Sequence, residues 1–187
     1  MKVYLDTATE DFFVALFDDN YSLIDKIHLE NYRKKVSLIP EQFSELLNRN
    51  SLSVTQIDQF ITNVGPGFFT GVRSGMVFFR TISMQLNKIF STISTFEILY
   101  EQNNKLDVIF LDAQGDKLYK FDSKSYGQKN IKELIEVVNK DENIKISKIN
   151  FEHISKNFQN YQKYFNNQKP LKQEVLYIKK PQIGVKK

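Results

Sequence analysis

Over its first third the chain alternates short apolar runs with polar turns, then changes to a helical period. Residues 2–5, 12–17 and 21–29 read as three β-strands, the last two separated by Asp18-Asp19-Asn20, a turn composition. From Val36 onward the apolar positions Val36, Ile39, Phe43, Leu46 and Leu47 follow a 3.6-residue period and predict a helix over 36–47. Pro40 should open that helix or kink it near its start, since proline has no N–H to give and its ring crowds the preceding turn. Residues 57–64 predict the next strand and 70–86 a second helix. Three antiparallel strands, a crossover helix, a parallel strand and another helix make a mixed sheet of the ribonuclease-H-like type in a compact α/β lobe.

Beyond Lys88 the pattern predicts strands at 89–93 and 106–111, with a helix at 95–102 between them. Residues 118–121 pair with 106–111 across the turn Asp112-Ala113-Gln114-Gly115-Asp116. A helix is expected at 131–138, a short strand at 144–149, and a further strand at 175–178. Residues 151–168 are polar, rich in Asn and Gln, and carry no clear period. The expected division is a first lobe at 1–90 and a smaller, divergent one at 91–187.

The segment Asn63-Val64-Gly65-Pro66-Gly67-Phe68-Phe69-Thr70-Gly71-Val72-Arg73-Ser74-Gly75 interrupts this pattern. Four of the chain's seven glycines fall within it. A strand, a Gly-rich turn and a helix N-terminus together let backbone N–H groups face an anion or another stretch of backbone. The segment has neither the Lys-Ser/Thr of a Walker loop nor the spacing of the dinucleotide fingerprint. Thr70 is placed to cap the helix. Gly71, Ser74 and Gly75 share one helical face, where small residues would let another helix approach closely. The remaining positions of the helix, Val72, Met76, Val77, Phe78, Phe79, Ile82, Met84 and Leu86, are apolar nearly all round, which predicts burial on more than one side, with a partner chain as a natural second cover. Arg73 and Arg80 on this helix read as ion-pairing or interface residues.

Composition narrows the chemistry. With 41% hydrophobic and 26% charged residues the chain is ordinary for a globular protein. The absence of cysteine removes disulfides, thiol catalysis and Cys-based zinc sites, and two histidines, His28 and His153, are too few for a His-rich metal site. Met1-Lys2 leads directly into a strand, so a cytoplasmic protein with no membrane segment is expected. The net charge of +4 is uneven, with 9 basic against 11 acidic residues in the first hundred positions and 17 against 11 in the rest. Lysines outnumber arginines 22 to 4, and a lysine-rich solvated tail needs no ligand, although such a tail also suits nucleic acid.

Asp6-Thr7 at the end of the first strand can be read in two ways. They close the strand through side-chain-to-backbone hydrogen bonds, or they face a metal and phosphates. The second way, with Gly65 and Gly67 as a phosphate loop, gives an ATP-binding kinase or ATPase. A nuclease would instead use Asp6, Asp58 or Asp112 as metal ligands. No nucleophile elbow or His-x-x-x-His pair is present.

Leu5-Asp6-Thr7-Ala8-Thr9-Glu10, the stretch Gly65–Arg73, Asp112-Ala113-Gln114-Gly115-Asp116-Lys117-Leu118-Tyr119 and Leu176-Tyr177-Ile178-Lys179 together resemble the TsaB (YeaZ) family, paralogues of the tRNA threonylcarbamoyltransferase subunit TsaD. The resemblance implies an actin-like (ASKHA) two-lobed fold with a reduced second lobe. It also implies a non-catalytic subunit without cofactor or metal, in which Asp6, Thr7, Gly65 and Gly67 form a degenerate nucleotide cleft. Family members pair with TsaD through helices that correspond here to 36–48 and 70–87, which makes Val36, Ile39, Phe43, Gly71, Ser74, Gly75, Phe78 and Ile82 the expected interface. A TsaE ATPase docks on that pair, and the complex threonylcarbamoylates the adenosine beside the anticodon of tRNAs reading A-starting codons. Without its partner, the same apolar face would pair with a second copy. Phe68 stands where the family motif has serine, and Lys34-Lys35-Val36-Ser37 where it has a His-Ser pair.

Overall fold

The computed structural model describes residues 1–32, 35–103 and 106–179. A five-stranded sheet is built from β1 (Lys2–Asp6), β2 (Phe12–Phe17), β3 (Leu23–Leu29), β4 (Gln59–Asn63) and β5 (Ile89–Ile93), in the spatial order β3-β2-β1-β4-β5. The first three strands form an antiparallel meander, with Leu5 opposite Val14 and Val14 opposite Ile27. β4 joins β1 in parallel and β5 joins β4 in parallel. Two helices make these crossovers: α1 (Lys35–Arg49) before β4 and α2 (Phe69–Gln85) after it.

β2 shows why the first sheet reads so clearly. Its six residues are all buried, because the sheet is covered on both faces, and a doubly covered strand is an unbroken apolar run. Phe12, Val14 and Leu16 join Leu38, Phe43 and Leu46 of α1 and Met76 and Phe79 of α2 in one core. Phe43 and Phe60 both meet Phe79 edge to face, with centroids 5.5 and 5.3 Å away, a preferred aromatic geometry. Phe13, Ala15 and Phe17 point the other way, into a core supplied by the second half of the chain.

That second half opens with α3 (Thr95–Gln102), which starts in a capping box: the Glu97 N–H donates to Ser94 Oγ, and the Ser94 N–H donates to Glu97 Oε2. Burial raises the pKa of the Glu97 carboxyl. β6 (Val108–Asp112), β7 (Lys117–Asp122) and β8 (Ile135–Asn139) form a small antiparallel sheet in that order. α4 (Phe151–Asn157) and a 3₁₀ stretch, Phe158–Tyr164, then return over the first sheet. Phe151 stacks on Phe13 at 4.7 Å and Phe158 on Phe17 at 4.0 Å.

Several expected elements differ. Residues 131–138 are a single 3₁₀ turn followed by β8, since Ile135 pairs with Phe121 and Val138 with Leu118 across the sheet. The β-branched residues in this run favour pairing over helix. Residues 144–149 form no strand and give β6 one hydrogen bond, from the Ser147 N–H to the Phe110 carbonyl. Residues 175–178 form no strand either; the Leu176 N–H reaches the Val64 carbonyl and the chain then turns away. The seemingly polar stretch 151–168 holds α4 and buries Phe151, Ile154, Phe158 and Tyr161. Pro40 lies inside α1, and the carbonyl it leaves without a donor belongs to Val36, which is 48% exposed and open to water. Among the described residues no helix is long and apolar enough to cross a membrane.

The aromatic bridge between the two halves is testable. Phe158→Ala should cost about 3–5 kcal/mol in urea unfolding, the range for a fully buried Phe. A loss below about 0.5 kcal/mol would mean that residues 158–164 do not belong to the core.

Candidate partner face and interlobe cleft

The end of β1 is closed. Asp6 is fully buried. Its Oδ2 accepts from the Tyr4 hydroxyl at 2.6 Å and from the Asn63 amide at 2.8 Å, and its Oδ1 accepts from the Ala8 N–H at 2.9 Å. Asn63 extends this network, accepting from the Gly65 N–H at 2.8 Å and from the Thr95 hydroxyl at 3.1 Å. Burial, and then the neighbouring Asp6 charge, push the Tyr4 hydroxyl well above its ordinary pKa, so it stays a donor. Thr7 is buried as well and donates to the Gly71 carbonyl at 2.8 Å. Asp6 and Thr7 thus make the side-chain hydrogen bonds of a strand closure, and both side chains are buried.

The three acids of the nuclease reading lie apart. The Asp58 N–H bonds the Met1 carbonyl, which places Asp58 beside the opposite end of β1, roughly 16 Å along the strand from Asp6. The Lys88 ammonium at 2.8 Å and the Met1 amino group hold the Asp58 carboxyl down at about 2. Asp112 lies on the other sheet, where it faces Lys140 at 3.1 Å.

The glycine segment turns inward. A Cβ on Gly67 would lie 2.0 Å from the Ala8 carbonyl oxygen, one on Gly71 would lie 2.1 Å from the Thr7 oxygen, and one on Gly75 would lie 2.8 Å from Thr7 Oγ1. Gly65 has φ +90, a conformation that L side chains rarely adopt. The glycines let α2 and its loop sit directly on the end of β1. Gly71 and Gly75, expected to admit a partner helix, instead admit their own strand. Thr70 is not the cap, because α2 begins one residue earlier with Phe68 at the N-cap and no side-chain cap bond, while the Phe68 N–H bonds the Ala8 carbonyl.

Between the glycine loop and the β6–β7 turn lies a cleft of ≈ 330 Å³, lined by Gly65–Gly67, Phe69, Asp112–Asp116 and the segment Val175–Lys179. Lys179 Nζ donates to the Ala113 carbonyl at 3.1 Å and Tyr177 lies 5.3 Å from Phe69, so the end of the described chain spans the cleft. Gly65 and Gly67 border this space; Asp6 and Thr7 do not.

The outer side of α1 and α2 has a different character. Val77 is 58% exposed and Met84 47%. Val36, Ile39, Pro40, Arg73, Ser74, Val77 and Phe78 line a shallow groove between the helices. Of the eight expected interface residues, Val36, Ser74, Phe78 and Ile82 reach this surface, while Ile39 and Phe43 are mostly held in the chain's own core and Gly71 and Gly75 face β1. Arg80 is taken by the chain itself: its guanidinium donates to the Gln173 carbonyl. Val77 and Met84 read in the sequence only as two of the apolar positions round the helix, because such a helix gives no sign of which side its sheet covers. Tyr4 and Asn63 were missed because each looks like an ordinary strand residue.

Two substitutions check the closed end of β1. Tyr4→Phe should cost about 1.5–3 kcal/mol in urea unfolding, the range for a hydrogen bond to a charged group. Gly71→Val should cost about 3 kcal/mol or more, since its Cβ meets backbone. A stable, well-folded Gly71→Val protein would refute the inward-facing contact.

Comparisons with known proteins agree with this fold. A family model for TsaD, tRNA N6-adenosine threonylcarbamoyltransferase, matches residues 30–182. The tRNA threonylcarbamoyladenosine biosynthesis protein TsaB of Bacillus subtilis (strain 168) is 25% identical over 146 residues, which is 76% of this chain and 61% of that protein. The chain thus spans about three-fifths of the length of that curated relative. YeaZ from Pseudomonas aeruginosa superposes with a TM-score of 0.56 at 19% identity, covering 74% of this chain and 64% of its own. A second structure, titled as an uncharacterized protein with similarity to peptidase YeaZ from Pseudomonas aeruginosa, gives 0.55 at 19%, over 74% of this chain and 63% of its own. The fold is a reduced actin-like, ribonuclease-H-like one, and the chain belongs to the TsaD family as a member of its TsaB/YeaZ group.

Proposed function

We propose that this chain is a non-catalytic subunit for tRNA threonylcarbamoyladenosine biosynthesis that pairs with a TsaD-like protein through the outer face of α1 and α2. The observation that carries this reading is the division of α2 into two sides. Its glycine side is spent on β1 and seals Asp6, while Val77, Met84 and part of Phe78 are left on the outside. A helix of this length in a small domain leaves such residues uncovered only at some cost in solubility, which a partner removes. The pair then offers a surface to a TsaE-like ATPase, and tRNA meets the chain through the complex, in the cytoplasm. A second copy covers the same face when the partner is missing. The division into lobes at 1–90 and 91–187 is part of this proposal, with the first lobe as the partner-binding one.

An ATP-binding role has less to support it. Asp6 is unavailable to a metal, and Phe68 occupies the position where the family's loop has a hydroxyl. In the proposed role the cleft beside Gly65 and Gly67 needs no nucleotide.

Size-exclusion chromatography with light scattering, on the chain alone and mixed with the TsaD of the same organism, tests the reading. A stable mixed complex is expected, and Val77→Glu should abolish it while the melting temperature moves by no more than about 2 °C, as for an exposed site. No complex between two folded proteins would sink the proposal. Calorimetric titration with Mg-ATP should be flat; saturable heat that Asp6→Asn removes at unchanged stability would favour the ATP-binding role instead.

A further inference from the structure

Arg73 stands alone in an apolar setting. It is exposed on α2, and its neighbours in the groove are Val36, Ile39, Pro40, Val77 and Phe78. Its guanidinium carbon lies 5.0 Å from the centroid of the Phe69 ring four positions back. Among the described residues its guanidinium makes no hydrogen bond or ion pair. A guanidinium held over an aromatic ring uses its face and leaves its edge of N–H donors free, pre-oriented for a planar two-oxygen acceptor. The exposed Arg49, by contrast, is paired with Asp25 at 2.8 Å.

Resting on the docking face proposed above, we propose that Arg73 is the charged anchor of that face and receives a carboxylate side chain of the TsaD-like partner. A phosphate backbone fits less well, because nucleic-acid contacts recruit several cations along a track, and among the described residues that line the groove Arg73 is the single cation. A carboxylate on a helix laid into the groove satisfies the guanidinium edge bidentately, while the apolar neighbours exclude water and strengthen the pair. The apolar residues supply contact area, and Arg73 fixes the register of the partner helix.

Affinities for the TsaD of the same organism, measured between 50 and 500 mM NaCl, test this on the full chain. Relative to wild type, Arg73→Met, which keeps an apolar stem, should bind about tenfold more weakly at 50 mM and lose most of its salt dependence; Arg73→Glu should bind at least about a hundredfold more weakly. Both should melt as wild type does. Wild-type affinity and salt slope in both variants, with Val77→Glu still breaking the complex, would overturn the anchor and leave the docking face standing. A complex that survives Val77→Glu as well would overturn the face itself. A self-dimer lost in Arg73→Glu, with the mixed complex unaffected, would place the carboxylate on a second copy and overturn the assignment to the partner.

Discussion

The close approach of α2 to the end of β1 is the contact on which the rest of this molecule depends. Gly67 and Gly71 lie so near the Ala8 and Thr7 carbonyls that no side chain fits between them. Thr7 Oγ1 returns the contact by donating to the Gly71 carbonyl. The loop is thereby drawn down over Asp6, whose carboxylate accepts from Tyr4, Ala8 and Asn63. A buried carboxylate is costly unless its hydrogen bonds are complete. Tyr4, Asn63 and the Ala8 N–H supply hydrogen bonds to it here.

The same contact orients α2. With the glycine side fixed on the strand, Met76 and Phe79 must enter the core with Phe43 and Phe60, and Val77 and Met84 must face out. The exposed apolar side of α2 is thus a geometric consequence of the glycine spacing. Arg73, one turn into the helix, then falls on the outer side beside the groove. Arg80, two turns further on, reaches the Gln173 carbonyl and ties the end of the described chain to the helix.

The first sheet is also a shared wall. One face belongs to α1 and α2, and the other to residues that arrive more than a hundred positions later, Phe151 and Phe158. This explains how a chain that spans about three-fifths of its curated relative keeps a complete core. The reduced second half contributes aromatic side chains to the first sheet in addition to its own three strands, and Phe121 and Leu111 join the same cluster.

The sequence by itself determined the elements whose burial is periodic. The three-strand meander, the two long helices, the parallel β4 and the capped α3 all carry a local signal, either an apolar period or Ser94 with Glu97. Asp6-Thr7 as a strand closure was legible as one of two chemical readings. Tertiary structure alone supplied its hydrogen bonds, because the donors on Asp6 come from β1 itself, its following loop and β4. It also decided which side of α2 faces inward: small residues at i and i+4 admit any close neighbour, and nothing local says whether that neighbour is a strand of the same chain or a helix of another. β8 and the stretch 151–164 were hidden for the same reason. Ile135 and Val138 acquire their strand character from pairing with β7, and Phe158 counts as core only because Phe17 lies 4.0 Å beneath it.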